Sequence, residues 1–126
     1  MNRTTIIGHV TKDAETRTVK VSGVDTLVTD FTVAANEGYG DNKTTNYFRI
    51  TIWREQGAKM APHLVKGRAI AASGVVSARA WVDNQGQARA QLELKVTGRN
   101  GVEFIGRKPG EPEDLPFIET EEEEVA

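Results

Sequence analysis

A chain of 126 residues with 38% hydrophobic content has room for one hydrophobic core and not two. It holds no cysteine, which excludes a disulfide framework, a thiolate nucleophile and a Cys-based zinc site. The net charge of −2 conceals two opposed parts: residues 1–110 carry all 16 Lys and Arg against 10 Asp and Glu, while Glu111 to Ala126 holds eight acidic side chains and no basic one.

Met1-Asn2-Arg3-Thr4-Thr5-Ile6 has no long apolar stretch and no cleavage-site pattern, so no signal peptide is expected. Nothing later approaches the roughly 20 apolar residues of a membrane span. The expectation is a soluble cytoplasmic protein with no membrane partner. From Ile6 the body reads as β-structure. Ile6 to Thr11 is a β-branched run, and Thr16 to Val21 continues extended after a turn at Asp13-Ala14-Glu15. Ser22-Gly23 supplies the next turn. From Thr26, Leu27, Phe31, Val33 and Ala35 share one face, with Asp30, Thr32 and Ala34 on the other. A polar loop, Glu37 to Thr45, is expected to be long. Asn46 to Arg54 then alternates strictly, with Phe48, Ile50 and Ile52 one way and Tyr47, Arg49, Thr51 and Trp53 the other.

Gln56 to Leu64 is the one candidate helix, short or kinked because Pro62 lacks a backbone donor, and Lys66-Gly67 should end it. Strands are expected over Arg68 to Ser77 and Ala88 to Arg99, joined through a hairpin tip at Asp83-Asn84-Gln85-Gly86. Asn100-Gly101 reads as a further hairpin turn into Val102 to Ile105. Five or six strands with one short helix after the third long strand is the order of an OB-fold, an all-β Greek-key barrel. The expected domain is 1–108. Residues 109–126 form an acidic tail of disordered composition, set off by Pro109, Gly110 and Pro112.

Single-stranded nucleic acid is held by flat side chains on a sheet surface with cations between them. Tyr47 and Trp53 share the polar face of one strand with Arg49 between them, Tyr39 lies in a polar loop, and Trp81 approaches a hairpin tip. The ordinary alternative for each ring is packing against a loop or a subunit interface, and for each cation a solvated surface charge. Catalysis finds little support. His9 and His63 are the only histidines, without HExxH spacing, and no P-loop or nucleophile–base pair is present. No enzyme, metal or cofactor is expected.

With these residues in place, the chain resembles the bacterial single-stranded-DNA-binding proteins over nearly all of residues 1–106. Gly8 and Asp13-Ala14-Glu15-Thr16-Arg17 are similar to the family's opening glycine and D-P-E-x-R loop, and Phe31 to Asn36 to its F-x-L-A-x-N segment. Asn46 to Arg54 resembles its strand ending in W-R. Lys66-Gly67, Gly74, and Arg79-Ala80-Trp81 followed by Asp83 to Gly86 match its later K-G, V-x-G and hairpin. The resemblance implies largely sequence-independent binding of single-stranded DNA in replication, repair or recombination, on the nucleoid, by a protein that assembles as a homotetramer. It implies stacking by Tyr39, Tyr47, Trp53 and Trp81, with Arg49, Lys66, Arg79, Arg89 and Arg3 along the DNA path. Glu55 stands where a lysine is frequent, and Ala80 and Ala90 replace larger or charged hairpin residues, which implies weaker binding or a shorter footprint. An RNA-binding OB module and a protein-only adaptor with Trp53 and Trp81 in an interface stay open as alternatives.

Glu113 followed by Asp114, Leu115, Pro116 and Phe117 is similar to the family's acidic Pro-Phe tip, which docks replication and repair proteins. Here Ile118 to Ala126 follow it, so Phe117 carries no free carboxylate. A solvated acidic extension is the other reading. Charge alone suggests that the tail competes with DNA for the basic body. Truncation after Gly110 should then tighten single-strand binding at low salt more than at high salt. Equal affinity of the two forms across a salt series would reject tail competition.

Overall fold

Alternation along Phe31–Ala35 and Phe48–Ile52 gives each strand one apolar face, and such faces are stable only when closed against each other. The closure is seen in the computed structural model, which describes residues 1–106. The expected domain boundary at 108/109, the acidic tail and its Asp114–Phe117 tip lie outside the described residues. The elements are β1 (Thr4–Val10), β2 (Glu15–Val21), β3 (Val24–Glu37), β4 (Thr44–Trp53), α1 (Arg54–Met60), β5 (Ala69–Val82), β6 (Ala88–Val96) and β7 (Val102–Ile105). Short 3-10 turns lie at Gly40–Asn42 and Ala61–His63.

Five of these strands close a ring in the order β1-β3-β4-β6-β5 and back to β1, the OB-fold barrel. β2 is added outside the ring on β3, and β7 on β5. β5 serves two neighbours in succession: Ala69 to Gly74 pairs with β1, and Gly74 to Val82 pairs with β6. Its dividing point is Gly74, where a Cβ would collide with the Lys95 carbonyl oxygen. β4 and β6 run parallel, from Phe48↔Leu92 to Thr51↔Lys95, and this short ladder completes the ring. The interior is filled by Val10, Phe31, Val33, Ile50, Ile52, Leu64, Ile70, Ala72 and Leu94. Burial of one such aliphatic side chain is worth about 1.5–3 kcal/mol.

Local chemistry explains the connections. The β2–β3 hairpin turns on Ser22 and Gly23, both with positive φ (53° and 81°), the twist that matches a two-residue hairpin. Asp13 accepts a hydrogen bond from the Lys66 backbone N–H (2.9 Å), tying the loop after β1 to the entry of β5. At the end of β4 the chain bends through Arg54, a non-glycine residue at φ 70°, and enters α1. α1 lies close to β3 because its buried Gly57 has no Cβ, which would strike the Thr29 side chain.

Three expectations are corrected. Asn100-Gly101 is not a hairpin turn between β6 and β7. Both sides of β6 are already taken by β4 and β5. The connection instead arches over Ser73, whose N–H donates to Gly101 O at 2.7 Å, and delivers β7 to β5. The loop after β3 is shorter than Glu37–Thr45, because pairing continues to Glu37↔Thr44 and Thr45 Oγ1 donates to Asn36 Oδ1 at 2.6 Å. The helix ends at Met60, because Pro62 converts the next turn to 3-10. Gly67 therefore serves the turn into β5 and not a helix terminus. The outer face also buries an apolar side chain, Val28, whose cross-strand neighbours are Arg17 and Trp53.

Gly74→Ala should lower unfolding stability by about 1–3 kcal/mol or more, since the ladder must part to admit a methyl group. Urea denaturation would measure the loss, and a midpoint equal to wild type would contradict this account of the β5 junction.

Candidate nucleic-acid interface

Because Ile50 and Ile52 point into the barrel, Tyr47, Arg49, Thr51 and Trp53 must point out. Register carries that parity across the sheet. Ala34, Thr32, Asp30 and Val28 stand opposite these four on β3. Glu15 and Arg17 follow on β2, paired with Asp30 and Val28. On the other side Glu93 and Lys95 lie beside Arg49 and Thr51, and Ser77, Arg79 and Trp81 stand across from Glu93, Gln91 and Arg89. One outer face therefore gathers Tyr47, Arg49, Trp53, Arg79, Trp81 and Arg89. The other three expected residues are peripheral. Tyr39 sits in the β3–β4 loop, Lys66 in the turn tied to Asp13, and Arg3 just before β1, all exposed.

The rings differ in availability. Tyr39 is 91% exposed and Tyr47 55%, while Trp53 (36%) and Trp81 (38%) are partly covered. Trp81 is covered in part by a cation, since the Arg79 guanidinium lies 4.5 Å from its ring centroid. A groove of about 460 Å³ runs along the face, lined among others by Arg17, Asp30, Arg49, Trp53, Arg79 and Glu93.

The arginines are not the free cations that the sequence suggested. Arg49 Nη2 lies 3.4 Å from Asp30 Oδ2, and Arg17 Nε lies 2.7 Å from the same oxygen. Arg79 Nε is 3.1 Å from Glu93 Oε2, and Arg89 Nε is 2.9 Å from Asp83 Oδ2. Sequence reading missed Arg17 and Lys95 as cations of this face, although alternation with Leu94 and Val96 marks Lys95 as outward. The departures Ala80 and Ala90 are direct cross-strand partners, so they form one small patch of the hairpin.

Asp83 organises the hairpin tip. Its Oδ1 accepts from the Gln85 and Gln87 backbone N–H groups, both at 2.9 Å, and Oδ2 faces Arg89. The Gln87 N–H, then Arg89, then the Gln85 N–H hold its carboxyl below the ordinary 3.8, against a partial opposing effect of burial.

Among the described residues no group of three or more His, Asp or Glu could hold a metal ion, and no helix is long and apolar enough to cross a membrane. A closed OB barrel with flat rings and guanidinium groups along one open face defines a surface of the single-strand-binding class. The family model described as the single-strand binding protein family matches residues 1–104, and the chain belongs to that family. A Thermotoga maritima protein named single-stranded DNA-binding protein is 33% identical over 127 residues, covering 97% of this chain and 83% of its own length. A Treponema pallidum protein of the same name is 30% identical over 110 residues, covering 84% of this chain; the match spans only 58% of that relative. The solved structure of a Plasmodium falciparum SSB complex with ssDNA has the same fold, with a TM-score of 0.63 at 23% identity over 84% of this chain and 96% of its own.

Since folding depresses the Asp83 pKa, its contribution to the tip is complete above 3.8 and is lost as pH falls through the depressed value. The protection factors of the Gln85 and Gln87 amides should hold at pH 5 and fall only below pH 3.8. Loss of protection already at pH 5 would reject the role given to Asp83.

Proposed function

We propose that the outer face of β2, β3, β4, β6 and β5 binds single-stranded DNA with little sequence preference, by stacking and phosphate contact and without catalysis. The observation that carries this reading is the meeting of Tyr47, Arg49, Trp53, Arg79, Trp81 and Arg89 on one sheet face. Every base has a π-face, so rings accept any base, and each stacked ring is worth about 1–3 kcal/mol. Tyr47, Trp53 and Trp81 would stack, and Tyr39 would close over the strand from its loop. Arg49, Arg79 and Arg89 would take phosphates, with Arg3 and Lys66 at the periphery. Paired DNA is a poor ligand for such a surface, because its bases cannot splay onto the rings.

The relatives' shared name and a fold shared with a protein solved with ssDNA support the same reading. In this role the protein would coat exposed strands, remove hairpins and exclude nucleases during replication, repair or recombination in the cytoplasm, on the nucleoid. We also propose that it works as a homotetramer, that the domain ends near residue 108, and that the acidic segment containing Asp114, Leu115, Pro116 and Phe117 engages replication or repair proteins.

The test is direct. Oligo-dT should quench the tryptophan fluorescence of the wild type, while duplex of equal length should not. Changing Tyr47, Trp53 and Trp81 together to alanine should weaken oligo-dT binding at least about a hundredfold, given the stacking energy of each ring. Unchanged affinity in a triple variant that still melts cooperatively would overturn the reading.

A further inference from the structure

The carboxylates of the outer face do not belong on a surface evolved only to attract phosphate. Asp30 lies at the middle of β3, and its Oδ2 meets both Arg17 (2.7 Å) and Arg49 (3.4 Å). Its Oδ1 accepts from Thr51 Oγ1 at 3.2 Å, which fixes the carboxylate between the two guanidinium groups. Glu93, across the β4–β6 ladder from Arg49, meets Arg79 at 3.1 Å. All five charged groups line the groove beside Trp53. A carboxylate offers a guanidinium much what a phosphate offers, two anionic oxygens in a plane. A strand that lies in this groove must therefore compete with anions already built into it.

We propose that Asp30 and Glu93 are internal competitors for the sugar–phosphate backbone: they hold Arg17, Arg49 and Arg79 in the free protein, and strand binding exchanges each carboxylate for a phosphate. This deepens the proposed function and rests on it. The exchange has a definite consequence for salt dependence. When an arginine leaves a carboxylate for a phosphate, the phosphate sheds its condensed cation, and the freed carboxylate gathers one from solution. Net counterion release at that contact is near zero. A cation on the same face that no carboxylate holds among the described residues, such as Lys95, releases its full share, about 0.7 in the log–log slope for single strands. Binding should thus depend less steeply on salt than the arginines of the face would imply. The carboxylates also hold the guanidinium groups along the groove, so the path is set before a strand arrives.

The experiment measures oligo-dT affinity across a salt series for wild type, Glu93→Gln, Asp30→Asn and Asp25→Asn. Asp25 pairs with Lys20 at 2.9 Å, and strand parity puts it on the opposite face from Asp30. Its substitution therefore makes the same change in net charge without touching the groove. Glu93→Gln should bind about two- to fivefold tighter at low salt, the weight of one exposed ion pair. Its slope should steepen by about 0.7. Asp30→Asn should exceed this, because two arginines are released. Asp25→Asn should match wild type.

The Asp30 side chain is only 13% exposed, so its loss could loosen the sheet; Glu93, at 32%, is the safer variant, and thermal melts identify any misfolding. Should Glu93→Gln bind no tighter with an unchanged slope, or should Asp25→Asn produce the same gain, the exchange is overturned. A wild type that fails to bind oligo-dT would instead remove the function beneath it, an outcome plainly different from equal binding by all four proteins.

Discussion

The short parallel ladder between β4 and β6 fixes everything that the outer face can do. Its pairs, Phe48↔Leu92 to Thr51↔Lys95, join the strand bearing Tyr47, Arg49 and Trp53 directly to the hairpin bearing Arg79, Trp81 and Arg89. The ladder is held from beneath by Ile50 and Leu94, both fully buried, and from the far side by β5. A slip of one residue would turn Leu94 outward and Glu93 into the core, which the burial of a charge forbids. Register is therefore specified by the interior, and the exterior inherits it.

That inheritance explains why part of the molecule could be read from its sequence. The parity of Phe48, Ile50 and Ile52 is a local property, so the outward aim of Tyr47, Arg49 and Trp53 follows without tertiary knowledge. Asp83 to Gly86 marks a hairpin tip by turn chemistry alone. The partner of β7 is different in kind. Nothing near Asn100-Gly101 records that both sides of β6 are occupied, so a good hairpin signal gives the wrong neighbour. β3 and β5 run longer than the sequence suggests for a related reason, since their ends are held by pairing and not by apolar alternation, whereas β6 ends at Val96, short of the expected Arg99.

The electrostatics of the face were the least legible feature. Arg17 and Asp30 are separated by a hairpin, and Arg79 and Glu93 by another, so each pair is made by register. Read singly, each arginine counts as an available cation; read across the sheet, each is already partnered. The groove is lined by Arg17, Arg49, Arg79 and Lys95 against Asp30 and Glu93, so ion pairing reduces its positive charge without cancelling it.

The separation of the two rings on β4 has a consequence of its own. Tyr47 and Trp53 are six residues apart on an extended strand, which sets them about 20 Å from each other. Consecutive nucleobases cannot bridge such a gap. On the proposed reading, anchored bases therefore alternate with unanchored ones, and the intervening stretch is held only through its backbone. On that reading, a missing or chemically damaged base falling in that interval would cost the complex little affinity.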